Sequence, residues 1–131
     1  MDRTISTVVI DDDALVAVAI WYLAGRIHGV EILGVAMMGW DGMALIEKLQ
    51  PRVALVDPLM PDLSGIDLIT RVVRKKLPTR VIVLTGSSDE ELCWHARKAG
   101  AAGYLLKARW KKSWALPSGP QPTEKLTSPP P

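Results

Sequence analysis

Cysteine is almost missing. Cys93 is the single one in 131 residues, so no internal disulfide can form and a reducing compartment is the default expectation. An excess of one charge is missing too. Lys and Arg number 16 against 14 Asp and Glu, a net charge of +2, too weak to argue for nucleic acid or an acidic surface as partner. No apolar run approaches the roughly 20 residues that span a bilayer. The N-terminus lacks a basic-then-apolar leader. There is no heptad and no long-period repeat. These absences predict a cytoplasmic protein with no membrane attachment and no direct nucleic-acid binding.

What is present is ordinary for a globular domain: 48% hydrophobic and 23% charged residues. That composition can bury a core without a disulfide or a structural metal. Short apolar runs alternate with helix-patterned segments. Strands are expected at 5–10, 30–36, 53–56, 80–84 and 102–106. Helices are expected at 13–27, with Leu15, Val18, Ala19, Tyr22 and Leu23 at helical spacing, and at 41–50, ended by Pro51. Two more are expected at 62–76, with Ile66, Ile69, Val72 and Val73 on one face, and at 89–99, capped by Gly100. Nearly unbroken apolar strands alternating with helices predict an α/β protein whose parallel sheet is covered on both faces.

In such sheets, function collects beyond the carboxyl ends of the strands, where strand order reverses. The first strand runs into Asp11, Asp12 and Asp13, the third into Asp57, the fourth into Thr85, the fifth into Lys107. In a 2-1-3-4-5 order the first and third strands are neighbours, and their acids face each other. Crowded carboxylates raise one another's pKa unless a cation joins them. An all-oxygen cluster suits a hard cation such as Mg²⁺. A carboxylate is also a competent nucleophile toward phosphorus, and a transferred phosphoryl group needs donors such as Lys107 and Thr85. Together these point to phosphoryl transfer onto a carboxylate. Asp13, third of the acidic run, is better suited to cap the following helix. His28 and His95 read as solvent-side helix residues, and Met37, Met38, Met43 and Met60 as packing. Cys93 is assigned no chemistry.

The pieces Val8-Val9-Ile10-Asp11-Asp12-Asp13, Val56-Asp57-Pro58-Leu59-Met60-Pro61 with Ser64-Gly65, Val83-Leu84-Thr85-Gly86, and Ala102-Gly103-Tyr104-Leu105-Leu106-Lys107 stand in one order. Over roughly residues 5 to 108 the chain resembles the receiver domain of bacterial two-component response regulators. The resemblance implies a flavodoxin-like, doubly wound five-stranded parallel sheet of order 2-1-3-4-5. It implies a phosphoacceptor, Asp57, loaded by a sensor histidine kinase, with Thr85 and Lys107 on the phosphoryl oxygens. It implies Mg²⁺ held by Asp11, Asp12, Asp57 and the Leu59 backbone carbonyl, and a switch made of Thr85 and Tyr104. Such a protein catalyses only its own phosphorylation and dephosphorylation, and works through a homodimer or an output-protein partner.

The chain also departs from that family. Pro58 has no N–H, and Leu59 carries no polar group to orient water, which predicts slow loss of phosphate. Residues 108–116 offer a shortened or irregular fifth helix, with Trp110 and Trp114 on one face. Residues 117–131 are rich in proline, serine and threonine and read as an unstructured tail, leaving a receiver domain at 1–116. Residues 109–131 show no helix-turn-helix pattern, so no DNA-binding output domain is expected within this stretch. A natural stand-alone receiver and a regulator cut short both fit. A non-phosphorylated interaction module on the same fold is the main functional alternative. An aspartyl phosphatase is disfavoured because Leu59 cannot act as general acid. A flavin site is disfavoured because the first strand–helix turn is acidic.

Overall fold

The computed structural model describes residues 4–86 and 89–107. The expectations for 108–116, 117–131, Trp110 and Trp114 lie outside the described residues. Nine elements alternate: β1 (Ile5–Ile10), α1 (Ala14–Gly25), β2 (Val30–Ala36), α2 (Gly39–Leu49), β3 (Val53–Val56), α3 (Gly65–Arg74), β4 (Arg80–Thr85), α4 (Glu90–Ala99) and β5 (Gly103–Leu106). All strand pairs are parallel, and the sheet order is β2-β1-β3-β4-β5. This is the expected flavodoxin-like, doubly wound sheet.

The apolar strands serve two cores at once, because successive side chains point to opposite faces. Val8, Ile10, Ala54, Val56, Val81 and Val83 pack under Met43 and Ile46 of α2 and Leu68, Ile69 and Val72 of α3. The intervening Val9, Leu55 and Leu84 pack under Val16, Ala17 and Ile20 of α1. Strand β2 departs from the expected pattern. As an edge strand it leaves Glu31, Leu33 and Val35 exposed, and its pairing with β1 skips Leu33, so that Thr7 faces Ile32 and Val8 faces Gly34.

Helix α1 turns a different face inward than its spacing suggested. Val16, Ala17, Ile20 and Ala24 are buried, while Leu15, Val18 and Tyr22 are more than half exposed. Apolar residues occur all round this helix, so periodicity alone leaves its rotation open. Packing on the sheet sets it, with Val16, Ala17 and Ile20 against Val9, Leu55 and Leu84, while Asp13 Oδ1 fixes the start by accepting from the amides of Leu15 and Val16, the expected cap. His28, expected on this helix, stands in the turn that follows it.

Two other helices shift at their starts. α3 begins at Gly65 rather than Asp62, because Ser64 caps it by accepting from Asp67 N. Leu68 replaces Val73 on its inner face, and Val73 is 53% exposed. α2 begins at Gly39 rather than Asp41, for a reason that lies elsewhere in the chain. Met37 and Met38 are exposed, while Met43 and Met60 join the core as expected. Among the described residues no helix is long and apolar enough to cross a membrane.

Candidate functional site

Strand register builds the site. Ile10 lies opposite Ala36 on one side and Val56 on the other. Hydrogen bonding continues one residue past each strand: Asp11 N donates to Ala36 O at 3.0 Å, and Asp57 N donates to Ile10 O at 2.8 Å. The backbones of both acids are therefore fixed side by side at the sheet's carboxyl edge. Thr85 closes β4, buried and opposite Leu106. Lys107 is the next residue on from Leu106, so its side chain enters the same crevice from the β5 end.

Asp11 is fully buried. Its Oδ1 accepts from Asp13 N at 2.8 Å. Its Oδ2 lies 2.8 Å from Lys107 Nζ, an ion-pair distance, but no hydrogen bond of proper geometry reaches that oxygen. Asp57 Oδ1 accepts from Leu59 N at 2.9 Å, and Asp57 Oδ2 accepts from Lys107 Nζ at 3.1 Å. Because Pro58 carries no N–H, the Leu59 amide is the first in the chain after Asp57 that can serve this carboxylate. Asp12 is exposed beside them. One oxygen of each of Asp11, Asp12 and Asp57 lies within 4.8 Å of the others.

The charges are strained accordingly. Burial pushes the Asp11 carboxyl above its ordinary range, against the pull of Lys107 and the Asp13 amide, and Asp57 adds to the push. Asp12 is also raised, by desolvation first and then by Asp57. Burial works against the Lys107 ammonium, but its two carboxylate partners outweigh that and raise its pKa. The residues fit a hard divalent cation: three crowded carboxylates, one with a buried oxygen lacking a directed donor, and an all-oxygen donor set. Crowded acids that share one lysine gain more from a second cation than isolated ones would.

The other residues singled out in the sequence lie as follows. Leu59 is 73% exposed, in the loop directly after Asp57. Tyr104, on β5, is half-buried and packs against the core under α2 and α3. It also lines a groove of about 370 Å³ with Cys93 and Arg97. Cys93 is buried. His95 is exposed on α4, with Nε2 3.8 Å from Glu91.

Asp62 is the residue that sequence reasoning missed. Its Oδ1 accepts from Gly39 N at 2.7 Å and its Oδ2 from Trp40 N at 2.9 Å. Those amides, Trp40's first, hold its carboxyl below the ordinary range. The available signal was negative: Met38, just before α2, has no side chain that can cap a helix.

Residues 7–113 match the response regulator receiver domain. The chain is 32% identical over 103 residues to the response regulator GacA of Pseudomonas aeruginosa, covering 79% of this chain and 48% of that protein. It is 34% identical over 98 residues to the nitrate/nitrite response regulator protein NarL of Escherichia coli, covering 75% and 45%. The chain thus spans about half the length of these relatives. Among solved structures, the signal receiver domain of NarL from Mycobacterium tuberculosis superposes with a TM-score of 0.79 at 29% identity, covering 95% of this chain and 92% of that one.

Proposed function

This chain belongs to the response regulator receiver domain family, whose place is in two-component phosphorelay signalling, and from that premise we propose that Asp57 is its phosphoacceptor. The donor is the phosphohistidine of a sensor histidine kinase. One observation carries the reading: Asp11, Asp57 and Lys107, from the ends of three different strands, converge within 3.1 Å of a shared ammonium.

An Asp57 carboxylate oxygen attacks phosphorus as the P–N bond to histidine breaks. The bonding pair leaves with the imidazole nitrogen, which takes up a proton, and Asp57 becomes an acyl phosphate. Lys107 supplies positive charge to the transferred oxygens, and the Thr85 hydroxyl and the Leu59 and Gly86 amides supply donors. Asp11, Asp12, Asp57 and the Leu59 carbonyl would hold Mg²⁺. Bound there, Mg²⁺ neutralises the crowded acids and stabilises charge on the phosphoryl oxygens. Phosphorylation shifts a pre-existing equilibrium, read out through Thr85 and Tyr104, toward a form that engages a second copy or an output protein. The chain acts in the cytoplasm, and its only catalysis is on its own aspartate.

The test is Mg²⁺-dependent labelling by acetyl phosphate, together with beryllofluoride binding. Labelling is expected in the natural sequence and lost in Asp57→Ala. Label that persists in Asp57→Ala sinks the assignment of the acceptor. No label in either protein favours the non-phosphorylated interaction module.

A further inference from the structure

Helix α2 has no cap of its own. Met38 occupies the capping position with extended backbone (φ −129, ψ 148) and no side-chain hydrogen bond. The two leading amides of the helix go to Asp62, 23 and 22 residues later. Asp62 does not lie on α2 or α3. It lies in the loop of residues 57–64 that carries Asp57 at one end and Leu59 near its middle.

That loop is closed at its base. Gly65 N donates to Pro58 O at 2.9 Å. A Cβ on Gly65 would fall 2.6 Å from Pro58 Cα and 2.9 Å from Asp57 O, so the two ends touch backbone to backbone. Its far side is in equally close contact with α2. A Cβ on Gly39 would meet Leu63 O at 2.6 Å and Leu63 Cβ at 2.7 Å. Met60 and Leu63 anchor the loop downward into the core, at 6% exposure each. Asp62 ties it sideways to α2 through directed hydrogen bonds, by both of its carboxylate oxygens at once. Pro61 lies between the tie and the core anchor and stiffens the link with its fixed φ.

We infer that Asp62 is a positioning residue: it staples the acceptor loop to the start of α2 and so holds the Leu59 carbonyl where a divalent cation at Asp11 and Asp57 can use it. This rests on the proposed cation site. Groups that orient a metal ligand are worth about 10–100-fold in affinity when removed. A tie three residues from the ligand carbonyl belongs at the low end of that range.

The competing explanation is that Asp62 only caps a helix. A second substitution separates the two. Met38 already has the backbone of a capping residue and is 43% exposed, so Met38→Ser can restore a local cap without touching the loop. The measurement is Mg²⁺ affinity by calorimetric titration of the full chain with the metal alone, paired with a thermal melt. Asp62→Ala is expected to weaken Mg²⁺ by about tenfold and to lower the melting temperature. Asp62→Asn, which keeps one acceptor, is expected to fall between it and the natural sequence. Met38→Ser with Asp62→Ala is expected to recover the melting temperature but not the affinity. Recovery of both would show that Asp62 is a helix cap and nothing more. Unchanged affinity in Asp62→Ala would also overturn the inference, while leaving the cation site intact. If the natural sequence itself binds no Mg²⁺, the cation site falls and this inference falls with it.

Discussion

Lys107 Nζ stands 3.1 Å from Asp57 Oδ2, fifty positions apart in sequence. The same ammonium lies 2.8 Å from Asp11 Oδ2. One cation therefore serves two buried acids. Lys107→Met removes it and leaves both acids with no ammonium between them. Breaking a fully buried pair costs roughly 3–5 kcal/mol, and the partial exposure of Lys107 lowers that here to about 2 kcal/mol. Urea unfolding at pH 7 without divalent cations measures it. The loss is expected to shrink as pH falls, because burial makes Asp11 hold its proton more readily than usual and a protonated Asp11 needs no counterion. An equal loss at neutral and acidic pH would rule out an ionic origin.

Asp11 gives the converse prediction. Its folded pKa is raised above an unfolded value near 3.8, as is that of Asp12. Both hold a proton more tightly folded than unfolded. Their contribution to stability is fully present below about 3.8 and is lost as pH rises through the folded values. Asp11→Asn removes this loss. It is expected to be more stable than the natural sequence at pH 7 in metal-free buffer, a gain that vanishes near pH 3.8. Asp62 has the opposite sign: its lowered pKa makes its contribution present at neutral pH and lost as pH falls through the folded value. A stability gain in Asp11→Asn that is flat across this range would contradict the assignment.

With Asp57 as the proposed acceptor, Leu59 is expected to set how long a phosphate there lasts. At 73% exposure its side chain faces solvent beside the acceptor and offers no group to orient an attacking water. Leu59→Asn supplies one. The half-life of the phosphorylated protein is expected to shorten severalfold, short of the roughly 100-fold at which positioned acid–base groups begin to contribute. Loss of label with time, after removal of acetyl phosphate, reads it directly. An unchanged half-life would remove the idea.

The rotation of α1 can be checked by two truncations on one helix. Ile20 is 1% exposed and Leu15 is 76% exposed. Ile20→Ala is expected to cost about 2–5 kcal/mol as a buried large-to-small change. Leu15→Ala is expected to stay within about 0.5 kcal/mol, as surface changes do. Denaturant midpoints for the two variants decide it, and similar losses would mean that the helix packs on another face.

The sequence by itself determined the element order, because apolar runs of strand length alternating with helical spacing admit few other folds. It also picked out the residues of the candidate site, because Asp11, Asp57, Thr85 and Lys107 each directly follow or close an apolar run, Asp12 stands next to Asp11, and strand ends in such sheets converge. Local signals sufficed where the partner was local: the Asp13 cap and the Gly100 helix end were legible. The tertiary structure alone decided the rest. The inward face of α1 was hidden because the helix is apolar all round. The start of α2 was hidden because its cap, Asp62, comes from more than twenty residues away. The sharing of Lys107 between Asp11 and Asp57 was hidden for the same reason: hydrogen-bond and ion-pair partners are chosen by distance in space, and only the folded chain sets that distance.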